Sequence, residues 1–184
     1  DANYLLLVEN LLDITHFYPL HDGNIGDIEN SKIPIELEEG ESDGNNYVMT
    51  IRKTTEYKQP PYLVDWFHFD TVDRHHTHCL VSPGITRVVM RNAPPGKLEQ
   101  RDVEKEFPGE LKVDGDERGY VLIHTHTPID ETHHTWRVLV NCPAHHMSKG
   151  DSTKSTASRV AEMFPEVAAE DLWAFNDEQL ARVI

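Results

Sequence analysis

Glu9-Asn10-Leu11-Leu12-Asp13-Ile14-Thr15-His16-Phe17-Tyr18-Pro19-Leu20-His21 is the stretch on which the reading of this chain turns. Asp13 and His16 are three apart, so on a helix they share a face. His16 and His21 are five apart. On an undisturbed helix that is a rotation of about 140°, and the two rings diverge. Pro19 cannot continue the backbone ladder and biases Tyr18 away from helix. The chain is therefore expected to bend at Pro19 and bring both imidazoles to one point. Two neutral imidazoles and a carboxylate from elsewhere make the face that holds non-haem Fe(II) with positions left open. Asp13 stands where it could accept the His16 ring N–H and orient that ligand. The plainer reading of the same residues is a polar cluster at a cavity mouth.

Working outward, residues 3 to 13 read as a helix, with Leu5, Val8, Leu11 and Leu12 marking an apolar stripe. Pro19 and Gly23 close it, and 23 to 30 is turn-like. From Ile33 to Leu37 the pattern changes to period two, a half-buried strand, and Gly40 to Asn46 is an acidic turn. Tyr47 to Thr55 is a second strand, with Tyr47, Met49 and Ile51 on one face. Leu63 to Phe69, Cys79 to Ser82 and Thr86 to Arg91 read as three more, with Ser82-Pro83-Gly84 as a hairpin turn. Residues 92 to 118 read as a long surface loop that either caps a cavity or meets a neighbouring subunit. Tyr120 to Thr127 and Thr135 to Asn141 form a second hairpin around Pro128-Ile129-Asp130-Glu131, and 151 to 163 is helical in composition. The order predicts an α+β architecture with helices on one face of an antiparallel sheet. There is no glycine-rich phosphate loop and no G-x-S-x-G elbow.

Composition narrows the function. The chain has 184 residues, 17 Lys+Arg against 32 Asp+Glu, and a formal charge of −15. The length suits one domain with a proper core. The acidic balance argues against nucleic-acid and anionic-membrane binding, which rest on Lys and Arg. Tyr4 to Val8 is too short for a membrane span and lacks a signal peptide's basic start, so a cytoplasmic setting is expected. Cys79 and Cys142 cannot build a disulfide framework or a four-thiolate metal site. The 12 histidines stand out, since imidazole is the commonest metal ligand.

Glu9-Asn10-x-x-Asp13-x-x-His16-x-x-x-x-His21 resembles the iron-binding helix of the Rieske-type non-haem iron oxygenases. Within them it is most similar to the oxygenase components of the vanillate O-demethylase and phthalate dioxygenase branch. The likeness continues more loosely through Gly119 to His124 and Thr127 to Glu131. The resemblance implies a START-like helix-grip fold, a curved antiparallel sheet gripping a long helix around a substrate cavity. It implies His16 and His21 as ligands of mononuclear Fe(II). Asp13 would link that iron to a [2Fe-2S] Rieske cluster on the neighbouring subunit of a homotrimer, and Asn10 would lie near the iron's open face. O2 and a small aromatic substrate would meet at the iron, with electrons from NAD(P)H through a reductase or ferredoxin.

Two departures qualify the likeness. No Cys-x-His and Cys-x-x-His pair is present, so the Rieske cluster is expected in a preceding part of a longer parent chain. Residues 1–184 are then the catalytic iron domain. The third ligand is also missing from its expected place. Asn176-Asp177-Glu178-Gln179 looks like a helix start, but the chain ends at Ile184. The carboxylate is expected beyond Ile184, with Asp177 and Asp171 as in-chain alternatives that read better as acidic residues favoured near helix starts.

Of the other histidines, His75-His76-Thr77-His78 could form a metal cluster but reads rather as a solvated loop beside Asp70, Asp73 and Arg74. His124 and His126 share one face of a strand and could bind a second metal, as could His133-His134, but read rather as a polar, cavity-facing end, with His124 a candidate substrate contact. His133-His134 lie across a turn, and His145-His146 read as loop. Trp66, Phe67, Phe69 and Trp136 read as core. The sequence thus favours oxygenation, as hydroxylation or demethylation, of an aromatic or related small molecule. The alternatives are a non-redox helix-grip ligand-binding module and a zinc-dependent hydrolase or lyase.

Overall fold

The computed structural model describes residues 3–22, 25–42, 44–98 and 116–141. Four helices, α1 (Tyr4–Leu12), α2 (Phe17–His21), α3 (Ile28–Ser31) and α4 (Pro61–Phe67), join six strands among these residues. The strands are β1 (Glu36–Ser42), β2 (Asn45–Lys58), β3 (Thr71–Ser82), β4 (Ile85–Ala93), β5 (Arg118–Pro128) and β6 (His134–Asn141). They lie in the order β1-β2-β3-β4-β5-β6, every neighbour antiparallel.

The curved helix-grip sheet with helices on one face is not what these residues form. The sheet is open rather than curled or closed, and strand dominates helix. The longest described helix has nine residues and the longest strand fourteen. That expectation came from the family resemblance; the strand pattern was misread separately, because the central strands are buried on both sides. From Arg74 to Cys79 and from Thr86 to Ala93 every residue is buried. Period two therefore vanishes, and polar residues that look solvated lie inside. His75 to His78, expected as a loop, form the middle of β3. The acidic turn also shrinks, because β1 runs on to Ser42 and β2 begins at Asn45.

Leu63 to Phe69 is a second correction, since Pro61–Phe67 is helical. Pro61 occupies the first turn, where its missing N–H costs nothing, and Leu63 and Phe67 are one turn apart. A short apolar run does not distinguish strand from helix by its pattern alone. His68 ends the helix in the left-handed region with φ 61°. Of the long loop expected at 92 to 118, Asn92 and Ala93 belong to β4 and Arg118 to β5, while 99–115 lie outside the described residues. So do the helix at 151–163, Cys142, His145, His146, Asp171 and Asp177.

Alternation along each strand divides the core. On one face Leu63 and Phe67 of α4 pack against Val88, Met90, Tyr120 and Leu122. On the other, Tyr47, Met49, Ile51 and Cys79 cluster, with Val89 and Val121 beyond them. That second face also carries the buried Arg91–Glu117 ion pair at 2.7 Å. Helix α1 lies across the first face. Its cap residue Asn3 donates to the Glu131 carbonyl in the β5–β6 turn, and Thr50 of β2 donates to the Leu12 carbonyl at the far end.

Phe67 is 1% exposed and stacks on Tyr120. Phe67→Ala should lower unfolding free energy by about 3–5 kcal/mol in urea titration. Leu37→Ala, at a side chain 66% exposed on the edge strand, should change it by under about 0.5 kcal/mol.

Candidate metal centre and its surroundings

The site is built where α1 stops. Asp13 caps the helix, its N–H reaching the Glu9 and Asn10 carbonyls at 3.0 and 3.2 Å. Its Oδ1 accepts both the Thr15 N–H at 2.7 Å and the Thr15 hydroxyl at 2.5 Å. That turn redirects the chain into α2, with His16 as its capping residue. The bend therefore lies at Asp13 to Thr15 rather than at Pro19. Pro19 is the third residue of α2, in the first turn, where its lack of an N–H breaks no helical bond.

The turn brings the two candidate ligands together. The His16 and His21 rings are 5.2 Å apart between centroids and inclined by 64°. Asp13 Oδ2 lies 3.7 Å from His16 Nδ1, so Nε2 is the ring nitrogen turned away from the carboxylate. His21 is 1% exposed, and its carbonyl accepts from the Gly26 N–H at 3.0 Å. A Cβ at Gly26 would stand 1.8 Å from the Phe17 carbonyl, so only glycine lets this loop close on α2. Asn10 sits one turn before Asp13 on α1, half-buried.

Beneath this turn lies a second pair of imidazoles. His76 and His78 share a face of β3, with Nε2 atoms 3.1 Å apart. His78 Nδ1 lies 2.5 Å from the Leu11 carbonyl. A carbonyl only accepts, so Nδ1 of His78 carries the proton. In neutral His78, Nε2 is then bare and accepts from the Nε2–H of His76. Phe17 sits between the pairs, its ring 5.1 and 5.9 Å from His16 and His21 and 5.7 and 5.6 Å from His76 and His78. Arg52 of β2, buried opposite His76, has its pKa pulled down by burial, and the Asp27 and Asp13 carboxylates oppose that.

His76 and His78 were weighed as part of a metal cluster and read instead as a solvated loop, which their burial in β3 overturns. The signal was available: His-x-His runs directly into the apolar strand Cys79 to Ser82, and such spacing places both rings on one face.

A third group lies further along the same sheet face. Trp136 Nε1 donates to His124 Nδ1 at 3.2 Å, which places the proton of neutral His124 on Nε2. The Trp136 ring is within 16° of parallel to His124 and within 11° of parallel to His126. His126 is buried, and neither of its ring nitrogens has a hydrogen-bond partner among the described residues. His133, by contrast, is exposed and pairs with Asp130 in the turn.

A mononuclear iron would fit the donor set in part. A metal bound at about 2.1 Å lies about 3.2 Å from an imidazole centre, so two adjacent ligands put their centroids about 4.5–5.3 Å apart. The His16–His21 separation of 5.2 Å falls in that range. Among the described residues no three His, Cys, Asp or Glu side chains converge as a metal site. The expected third carboxylate, at Asp171, Asp177 or beyond Ile184, lies outside them.

A family model described as the vanillate O-demethylase oxygenase C-terminal domain matches residues 1–180. No curated protein matches the chain. No solved structure matches it either. Among the described residues no helix is long and apolar enough to cross a membrane.

Burial pushes His124 down to about 3, His75, His78 and His126 to about 4, and His76 well below the usual imidazole range. In the unfolded chain these rings titrate near 6.5. Between about pH 4 and 6.5 the unfolded state thus binds more protons than the folded one. Stability should be fully present above pH 6.5 and fall as pH drops toward 4, each ring adding at most about 1.4 kcal/mol per pH unit. Urea midpoints should be level from pH 7 to 8 and drop steeply below about 6.5. A midpoint unchanged down to pH 4.5 would show that these rings are not held neutral by burial.

Proposed function

The chain belongs to the vanillate O-demethylase oxygenase C-terminal domain family, and from that premise we propose that residues 1–184 are the catalytic mononuclear-iron domain of a Rieske-type oxygenase. Family membership supports an oxygenase-type activity and an iron cofactor in general terms. The finer reading is O2-dependent hydroxylation or demethylation of an aromatic or related small organic substrate. The observation that carries it is the meeting of the His16 and His21 rings directly after Asp13.

In this reading His16 and His21 hold Fe(II), with a carboxylate from Asp171, Asp177 or beyond Ile184 as the third ligand. When bound, the metal supplies open coordination positions at which O2 is activated beside the substrate. The chain's own residues do the rest. Asp13 splits its carboxylate between two tasks: Oδ1 fixes the turn through Thr15, and Oδ2 faces His16 Nδ1 and turns Nε2 toward the metal position. By the family resemblance the same carboxylate would link His16 to a Rieske cluster on a neighbouring subunit of a homotrimer. That cluster would be fed from NAD(P)H through a reductase or ferredoxin. Asn10 would stand near the open face. Phe17 keeps water from the rings it touches. His124, held by Trp136 in the tautomer that donates from Nε2, would give its N–H to an oxygen of the substrate.

His16→Ala and His21→Ala should each leave less than a tenth of the iron found in the parent protein, by metal analysis of anaerobically loaded samples. Asp13→Asn keeps an oxygen for Thr15, so it should retain iron while losing at least about tenfold in turnover coupled to the electron donor. A His16→Ala protein with full iron would sink the ligand assignment. An iron-free parent chain without acid-labile sulfide that still binds aromatic acids would end the oxygenase reading.

A further inference from the structure

The end of α1 has an unusual set of partners. A helix leaves its last four carbonyls without intrahelical donors. Here those are Glu9, Asn10, Leu11 and Leu12, and each is accounted for. Asp13 N–H reaches the first two, His78 Nδ1–H the third at 2.5 Å, and the Thr50 hydroxyl the fourth at 2.7 Å. Two side chains from two adjacent strands thus pin successive carbonyls immediately before Asp13. Thr50 and His78 are themselves register partners across β2 and β3, so their spacing is fixed by the sheet.

We propose that His78, braced by His76 and assisted by Thr50, is the positioning residue of the iron site: it fixes the end of α1 and so the Asp13–Thr15 turn that aims His16. The proposal rests on the reading of His16 and His21 as iron ligands. The path is short. His78 holds Leu11, which is two residues from Asp13. Asp13 Oδ1 holds Thr15, which is adjacent to His16. His78 cannot swing away, because its Nε2 is engaged by His76 and the Phe17 ring packs against both. The tautomer matters as much as the contact. Only with the proton on Nδ1 does His78 donate to Leu11; that carbonyl selects the form, and Nε2 of His78 is then left to accept from His76. In this proposal His78 acts through the helix end, by its contact with the Leu11 carbonyl.

The test uses the full chain and two metals alone as probes. Fe(II) affinity is titrated anaerobically, and the visible spectrum of the Co(II)-substituted protein reports ligand geometry. His78→Phe keeps a ring but loses the donor, and should weaken Fe(II) binding about 10–100-fold and shift the Co(II) bands. His78→Gln, whose amide N–H can reach the Leu11 carbonyl, should recover most of that affinity and the parent spectrum. Thr50→Val should weaken binding by a smaller factor in the same direction, and it serves as the readout should His78→Phe fail to fold. A His78→Phe protein with lowered thermal stability but parent Fe(II) affinity and Co(II) spectrum overturns the proposal. Equal loss in His78→Gln and His78→Phe does so too. His16→Ala separates the two layers. If it binds Fe(II) like the parent, the site reading itself fails. If it loses Fe(II) while His78→Phe and Thr50→Val keep it, only the positioning role fails.

Discussion

Everything in the candidate site hangs from the way one helix stops. Four terminal carbonyls must find donors or face a buried, unsatisfied end. Solvent satisfies such groups at most helix ends and imposes no direction. At the end of α1 the donors come from the capping residue and from β2 and β3. The helix end therefore takes its position from the sheet. Asp13 is then committed, through Thr15, to a turn with one outcome, and His16 follows it. Gly26 completes the constraint from the other side, by letting the chain after His21 lie against the Phe17 carbonyl.

That arrangement requires a sheet able to offer polar donors on a buried face, and this explains the composition of the central strands. Arg52, Arg74, His76, His78, Asn92 and His124 all face the side that α1 crosses, and all are buried. Most find one another. Arg74 donates to Asn92 and Gln59, His76 to His78, and Trp136 to His124. Arg52 Nε and Asn92 Nδ2 have no hydrogen-bond partner among the described residues, so the network is paired only in part. Where its donors and acceptors meet, a misplaced group costs its desolvation and one arrangement is favoured. The apolar cluster around Phe67 holds the strands together, while the polar strip beside it sets where α1 ends.

How much of this was legible follows from the same facts. Helix α1 was readable in extent but not in its buried face: Leu7 and Val8 are buried, while Leu5 of the expected stripe is exposed. The β5–β6 hairpin was readable because its turn residues and its half-exposed strand alternate. Spacing put Asp13 and His16 on one face of a helix, whereas α1 ends at Leu12 and the two approach across the turn that follows it. The direction of the bend was not legible. It depends on the Thr15 hydroxyl and on carbonyls held by residues 38 and 67 positions away, and spacing near Pro19 carries no trace of them. β3 was illegible for the opposite reason. A strand buried on both faces should read as an apolar run, but this one carries arginine and three histidines into the interior, so its pattern mimicked a solvated loop. Those residues made β3 read as too short, and the apolar run at Leu63 to Phe69 added a strand that is α4. The helix-grip expectation came from the family resemblance and is overturned by the open, strand-dominated sheet.

The cost of burying those histidines is also what suits them to the task. An imidazole that is half protonated near neutral pH is a poor brace, because protonation removes the acceptor on which a His–His hydrogen bond depends. Burial holds His76 and His78 neutral over the whole range in which exposed histidines titrate. Their single shared proton then has one favoured place, between the two Nε2 atoms, and the Nδ1–H of His78 stays directed at Leu11. Folding supplies the desolvation, and the return is a tautomer that does not fluctuate with pH. A glutamine or serine could have supplied a donor to that carbonyl with fewer constraints. A pair of buried rings packed on Phe17 adds stiffness as well, because neither ring can rotate without breaking a hydrogen bond and a ring contact together.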